Sequence, residues 1–401
     1  MTHLPQTPAP KKIPGGPLAP LGFLGGTASC GIKDGKPTRP DLALIAATHL
    51  CTAAATFTTN RVKAAPVKIS AQHIRSQHAA AVVLNSGNAN ACTGPDGEAA
   101  ALATAQHAAH LLGCKTQHVL ICSTGRIGVP LPLQQILTGL DSIQLSRSTA
   151  KTCAQAIMTS DTFPKLRAYQ LSCPTGSYRI GAMAKGAGMI NPNMATMLCI
   201  LTTDAIVAPD TLKKILKSAV ANSFNLITVD GDMSTNDTVI ALASGDSGTT
   251  PAPEHLAASM QLILRDMARL IVLDGEGVSK FIEVQVENAA SISDARKAAE
   301  SVANSKLVKC AWAGNDPNWG RILCALGYSG ASLSENKIDI DYNHLPVVRS
   351  GRLADSPWKQ IKKIAASKQF RVTIRLNQGR HSYTIWTTDL TEKYVKLNLG
   401  E

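Results

Sequence analysis

Three short runs in this chain leave almost no room for a wet surface: AAVVLN (80–85), HVLIC (118–122) and TMLCIL (196–201). Successive side chains of a strand point to opposite faces, so a near-continuous apolar run has to be covered on both. Two later runs, FIEVQVE (281–287) and FRVTIRL (370–376), alternate apolar and polar residues instead, as half-buried strands do. Helical patterns lie between the strands. Asp210 is placed to cap TLKKILKSAVANS, where Leu212, Ile215, Leu216, Ala219 and Val220 form one apolar stripe. Residues 254–272, 294–309 and the Ala-rich 97–112 read the same way. Strands alternating with helices predict a layered α/β protein.

Composition narrows the function classes. The chain has 401 residues, 44% of them hydrophobic and 17% charged, the profile of a globular protein with a large core. No run approaches the ~18 apolar residues of a membrane span, and the start of the chain lacks the sustained apolar segment of a secretory signal. Its Pro and Gly residues suggest a flexible leader over about residues 1–20. A cytoplasmic location is expected, with no membrane partner. The net charge of +12 is uneven: residues 1–195 hold 17 Lys and Arg against 6 Asp and Glu, and residues 196–401 hold 23 against 22. The basic charges come singly or in pairs and aromatics are only 4%, so neither dense basic runs nor stacking platforms speak for nucleic acid. The ten cysteines are scattered without metal-like spacing and are expected to be reduced and mostly buried. His107 and His110 share a helical face but have no acidic or thiol companion nearby in sequence, so no metal site is expected.

Gly-rich polar loops follow several of the strands: NSGNANACTG (85–94), STGRIG (123–128), VDGDMSTND (229–237) and DGEGVSK (274–280). GNDPNWGRI (314–322) lies between helix and strand signals. Loops at strand ends commonly build sites because the strands aim them. None of these has phosphate-loop or dinucleotide spacing.

One join stands apart. In KGAGMINPNMATMLCILTTDA (185–205) a small Ala–Thr step sits at the threshold of a buried strand. A threonine there is usually just a β-branched strand residue. The sharper reading is self-cleavage between Ala195 and Thr196. Cleavage frees an α-amine on Thr196, and with a pKa of about 7.7–8.0 that amine can serve as the base for its own hydroxyl. The attack would be an N-to-O acyl shift followed by hydrolysis of the ester.

The same stretch resembles the processing site of the ornithine acetyltransferase family, the bifunctional glutamate N-acetyltransferases of arginine biosynthesis. NSGNANACTG, CSTGRIG, FNLITVDGDMSTNDT, DGEGVSK and GNDPNWGRILCALGYSG resemble its other signature segments in the same order, from about residue 20 to 398. The resemblance implies a layered mixed-sheet fold of the N-terminal-nucleophile-like type, assembled from an α chain (1–195) and a β chain (196–401). It implies that Thr196 takes the acetyl group from N-acetylornithine and passes it to glutamate, with acetyl-CoA a possible co-substrate and no bound cofactor or metal. Thr124 and Gly125 match the family's oxyanion pair. Thr159, Lys185, Thr196, Glu276 and Asn398 match substrate-binding positions. From charge, Lys185 suits a substrate carboxylate and Glu276 an ornithine ammonium. A heterotetramer of two α and two β chains is the assembly it implies.

The chain departs from the family pattern in two places. After YVKLN it has only Leu399, Gly400 and Glu401, without the near-terminal hydroxyl residue, and Arg126 stands where a smaller uncharged residue is common. Two rival functions use the same sequence differently. A self-cleaving amidohydrolase or aminopeptidase would pass the acyl group from Thr196 to water. A basic binding protein would use the charged first half and stay uncut.

Overall fold

The structure is a computed structural model that describes residues 9–191 and 197–399. It divides into two compact units. The first takes in Met1–Gly186, Asn193–Asn225 and Met233–Ile271, and the second Ala187–Pro192, Leu226–Asp232 and Val272–Glu401. The join at 195/196 is therefore not a boundary between units, since each unit draws on chain from both sides of it.

A nine-stranded mixed sheet organises the first unit. Its strands are β1 (Lys11–Lys12), β2 (Phe23–Ala28), β3 (Leu42–Phe57), β4 (His78–Asn88), β5 (Val119–Arg126), β6 (Lys165–Cys173), β7 (Gly176–Lys185), β8 (Leu198–Thr203) and β9 (Thr238–Ala243). They run in the order β1-β6-β7-β8-β9-β3-β4-β5, with β2 also on β3. The pairs β4–β5 and β8–β9 are parallel and the others antiparallel. The helices of this part of the chain are α1 (Ala65–His73), α2 (Gly94–Leu112), α3 (Leu133–Ser142), α4 (Ala150–Ala156), α5 (Pro209–Ala221) and α6 (Pro253–Leu273).

The two-sided burial read from the apolar runs is met in detail. Val82, Leu84, Leu120 and Cys122 share one core with Ala150, Cys153 and Ala154 of α4. Their neighbours Ala81, Val83, Val119 and Ile121 join the opposite core with Ala105, Ala108 and Ala109 of α2 and Ile136 and Leu140 of α3. All six residues of β8 are buried. Missing from the sequence reading were β3, the longest strand, and β9, whose TVIALA lies just after a turn-rich loop.

In the second unit six strands, β10 (Phe281–Ala289), β11 (Asp339–Tyr342), β12 (Leu345–Arg349), β13 (Arg352–Leu353), β14 (Gln369–Arg375) and β15 (His381–Thr388), form a sheet ordered β13-β12-β11-β14-β10-β15. Its helices are α7 (Ile292–Asn304), α8 (Lys306–Ala313), α9 (Trp319–Gly327), α10 (Trp358–Ala365) and α11 (Glu392–Leu397). Ile282, Val284 and Val286 of β10 and Val372 and Ile374 of β14 share a core with Ala295, Ala298, Ala299 and Val302 of α7. The alternate residues carry charge, and Arg371 pairs with Glu283 and Arg375 with Glu287 across the two parallel strands.

Several expectations need correction. Asp210 does not cap its helix: α5 starts at Pro209 with Ala208 at the cap, and Asp210 sits in the first turn, where it accepts from Gln77 (3.0 Å). The 294–309 window is two helices, because Ser305 turns extended and its hydroxyl oxygen accepts from the Val308 N–H to start α8. GNDPNWGRI leads into a helix, α9, capped by Asn318 accepting from the Arg321 N–H. Only four of the ten cysteines are buried, three are half-buried and three exposed, all as free thiols. His107 has an acidic partner after all, Asp141 at 2.7 Å, supplied by α3 and so invisible as a sequence neighbour. Among the described residues no helix is long and apolar enough to cross a membrane.

The leader expected over about residues 1–20 is corrected at its far end, while residues 1–8 lie outside the described residues. Residues 16–20 are buried, and the Thr202 hydroxyl donates to the Pro17 carbonyl (2.6 Å). Gly and Pro there shape a tight course over the sheet: a Cβ on Gly181 would lie 1.9 Å from the Gly16 oxygen, so only glycine lets the two backbones meet. Gly181→Ala is therefore expected to destabilise the protein by ~1–3 kcal/mol, the usual cost of overpacking. Denaturant unfolding measures this, and wild-type stability in the variant would show that the segment yields freely.

Candidate active site

The parallel pairing of β4 and β5 brings two of the Gly-rich loops out at one sheet edge. Ser86 is in register with Thr124 and Gly87 with Gly125. Gly125 adopts φ +132°, and a Cβ there would stand 2.2 Å from the Gly87 carbonyl carbon, so this close crossing needs glycine. Side-chain amides lace the loops together. Ser123 donates to Asn85 (2.6 Å), and Asn85 donates to the Asn88 carbonyl (2.9 Å). Asn236 donates to the carbonyls of Ala89 (2.7 Å) and Ser123 (2.8 Å), so the third loop, VDGDMSTND, supplies the brace for the first two.

Lys185 ends β7. Its side chain is buried, and its Nζ lies 3.4 Å from the Thr124 hydroxyl oxygen. Two of the expected site residues thus meet in the first unit. Thr159 is exposed in the turn after α4, and its N–H donates to Asp161 Oδ2 (3.1 Å). Asp161 Oδ1 accepts from the Gly186 N–H (2.8 Å) and the Lys165 ammonium (2.6 Å). Ala195 and Thr196, the expected cleavage site, lie outside the described residues. The next residue is described: Met197 donates its N–H to Asp237 Oδ1 at 2.9 Å. Arg126 is exposed at the end of β5.

The second unit brings together the other two expected residues. Asn398, just past α11, donates to Glu276 Oε2 at 3.1 Å, although 122 positions separate them. The Glu276 N–H donates to the Ala187 carbonyl (3.0 Å), and a Cβ on Gly188 would meet the Glu276 carboxylate at 2.5 Å. The glycines of KGAGM thus let the chain pass tightly beside the acid. Nearby, Asp230 accepts from the N–H groups of Met189 (2.6 Å), Ile190 (2.9 Å) and Asp232 (3.1 Å).

The sequence profile of the ArgJ family matches residues 25–400. The chain belongs to the ArgJ family. Similar relatives include the arginine biosynthesis bifunctional protein ArgJ of Symbiobacterium thermophilum, 44% identical over 96% of this chain and 98% of that one. The protein of the same name from Geobacter sulfurreducens is 45% identical over 94% of this chain and 98% of its own length. Among solved structures, the ornithine acetyltransferase complexed with ornithine from Mycobacterium tuberculosis aligns at 36% identity over 46% of this chain and 98% of that chain, with a TM-score of 0.42. The family expected from the ordered signature segments is the family found.

In this ArgJ-family chain the charges around Lys185 went unseen in the sequence. Burial alone would raise the Asp161 carboxyl, but the Lys185 and Lys165 ammonium groups and the Gly186 N–H outweigh it and hold the group below the usual range. Asp237 goes the other way. Burial pushes it well above the usual carboxylate range against the Met197 N–H, the Lys185 charge and the Thr58 hydroxyl. Its Oδ2 finds no hydrogen-bond partner among the described residues. Burial, with Arg39 adding, lowers Lys33 to about 8, partly offset by Asp41 and Asp161. The only sequence trace of this arrangement is the acid–base spacing in DTFPK (161–165).

Asp230 gives a clean titration. Burial raises it to about 6, against three N–H donors, while the unfolded group titrates near ~3.9. Between those values the unfolded state has already released the proton that the folded state holds, so rising pH withdraws stability across that window and no further above it. Relative to Asp230→Asn, which does not titrate, the wild-type melting temperature should fall as pH goes from ~4 to ~7. A difference that stays flat with pH would show that Asp230 ionises normally.

Proposed function

We propose that this chain is an acetyltransferase of arginine biosynthesis that moves the acetyl group of N-acetylornithine to glutamate. The reading is carried by one observation: Lys185, Thr124 and Gly125, three residues the family resemblance assigns to the site, lie together at the end of β4, β5 and β7. The names of the relatives, all arginine biosynthesis proteins, support the pathway.

The chain first cuts itself between Ala195 and Thr196. The Thr196 oxygen then attacks the acetyl carbonyl of N-acetylornithine, and its free α-amine takes the hydroxyl proton. Negative charge develops on the carbonyl oxygen, which the Gly125 N–H and the Thr124 hydroxyl stabilise by donation. Lys185 facing the Thr124 oxygen favours that direction, because a hydroxyl accepting from a lysine has its own proton free to give. The C–N bond breaks, the α-amine returns the proton to the leaving nitrogen, and ornithine departs from an acetyl-Thr196 ester. The amine of glutamate attacks that ester, the Thr196 oxygen recovers a proton, and N-acetylglutamate leaves. Thr159 and Lys185 bind the substrate backbone groups, and Glu276 with Asn398 binds the ornithine ammonium end. Acetyl-CoA can load the same oxygen, releasing CoA as a thiol. The fragments stay paired as two α and two β chains.

Intact-mass measurement of the purified protein should give two fragments meeting at Ala195/Thr196, and Thr196→Ala one full-length chain without transferase activity. Glutamate should accelerate ornithine release from N-acetylornithine. An uncut, active protein refutes the mechanism. Ornithine released equally fast without glutamate makes the protein a hydrolase.

A further inference from the structure

Asp161 lies between two residues that bind substrate in the reading above, yet it has no role in that reading. Its two oxygens are divided between them. Oδ2 accepts from the N–H of Thr159, and Oδ1 accepts from the N–H of Gly186, the residue that follows Lys185. Oδ1 also takes the Lys165 ammonium, and both side chains of that ion pair are fully buried. The Lys165 Nζ in turn stands 5.0 Å over the Phe163 ring. Removing two charges from water is expensive, and an apolar pair of similar size would often fill the space as stably. A fully buried ion pair with its oxygens spent on two backbone N–H groups is better explained by what it orients.

We infer that Asp161 is a positioning residue for the acetyl-transfer reaction: it joins the Thr159 turn to the end of β7 and so fixes Lys185 and Thr159 as one substrate-holding pair. This inference rests on the assignment of Lys185 to substrate binding. Its carboxylate also faces the Lys185 charge, so it holds that side chain electrostatically as well as through the backbone. Lys165 shares the Asp161 charge with Lys185, so that two ammonium groups face one carboxylate.

The test is a double-mutant cycle with steady-state kinetics on N-acetylornithine and glutamate. Asp161→Asn should raise KM about tenfold while kcat changes by less than about threefold. Lys185→Met should raise KM by at least as much. Because the first change acts in part through the second residue and in part through Thr159, the KM increase of the double variant should fall well short of the product of the two single increases, a coupling of contacting groups. Asp161→Glu, which keeps the charge, should recover most of the lost KM. Multiplying KM effects in the double variant would overturn the inference, as would an Asp161→Asn enzyme whose only change is a lower melting temperature. If Asp161→Asn does not fold, the cycle is run with Asp161→Ser and read by the same criterion. The two levels of the argument fail differently. An unchanged KM in Lys185→Met removes the substrate role of Lys185 and the inference with it, whereas a raised KM there with independent Asp161 effects removes the inference alone.

Discussion

The parallel pairing of β4 with β5, clamped from both faces, is the constraint on which the candidate site depends. Parallel strands end at the same edge, so their outgoing loops emerge side by side without any further instruction from the chain. Two helical layers hold that pair rigid, α4 on one face and α2 with α3 on the other. In the proposed reaction such rigidity would matter, because an oxyanion donor must already be in place when charge develops. The close crossing of Gly125 over Gly87 is possible only because the strands beneath are held in strict register.

Above that frame the site is built from buried charge. Lys185 influences two carboxyls shifted in opposite directions: Asp161, held below the usual range by two ammonium groups, and Asp237, pushed well above it by burial. One acid balances charge and the other accepts a backbone N–H at the start of the strand that follows Thr196. Environments of this kind push two carboxyls of one unit in opposite directions, one by paired charge and the other by burial.

Much of the frame was legible because the side-chain period of a strand is short and local. AAVVLN and HVLIC announce two-sided burial, and FIEVQVE announces one-sided burial, from residues within each run. What failed was whatever depended on distant partners. The Pro- and Gly-rich start reads as flexible until Gly181, far along the chain, makes room for it. Asp161 drew no attention in the sequence, because its partners, the Gly186 N–H and Lys165, are brought to it by the fold, and Asn398 and Glu276 meet across 122 positions. Ordered family segments named Thr124, Lys185, Glu276 and Asn398, while the groups around them left at most the acid–base spacing of DTFPK.

The way the two units are sewn has a consequence for the proposed cut at Ala195/Thr196. Stretches from before and after residue 196 are woven into each unit, and β8 lies inside its sheet between β7 and β9. A scission at the join thus frees a chain end while every strand keeps its neighbours. The pieces are interlocked by shared cores, not held by a docking face, so parting them requires undoing both units. An enzyme so cut would have two polypeptides but only one folded body of each unit, and its halves could not be traded between molecules without unfolding.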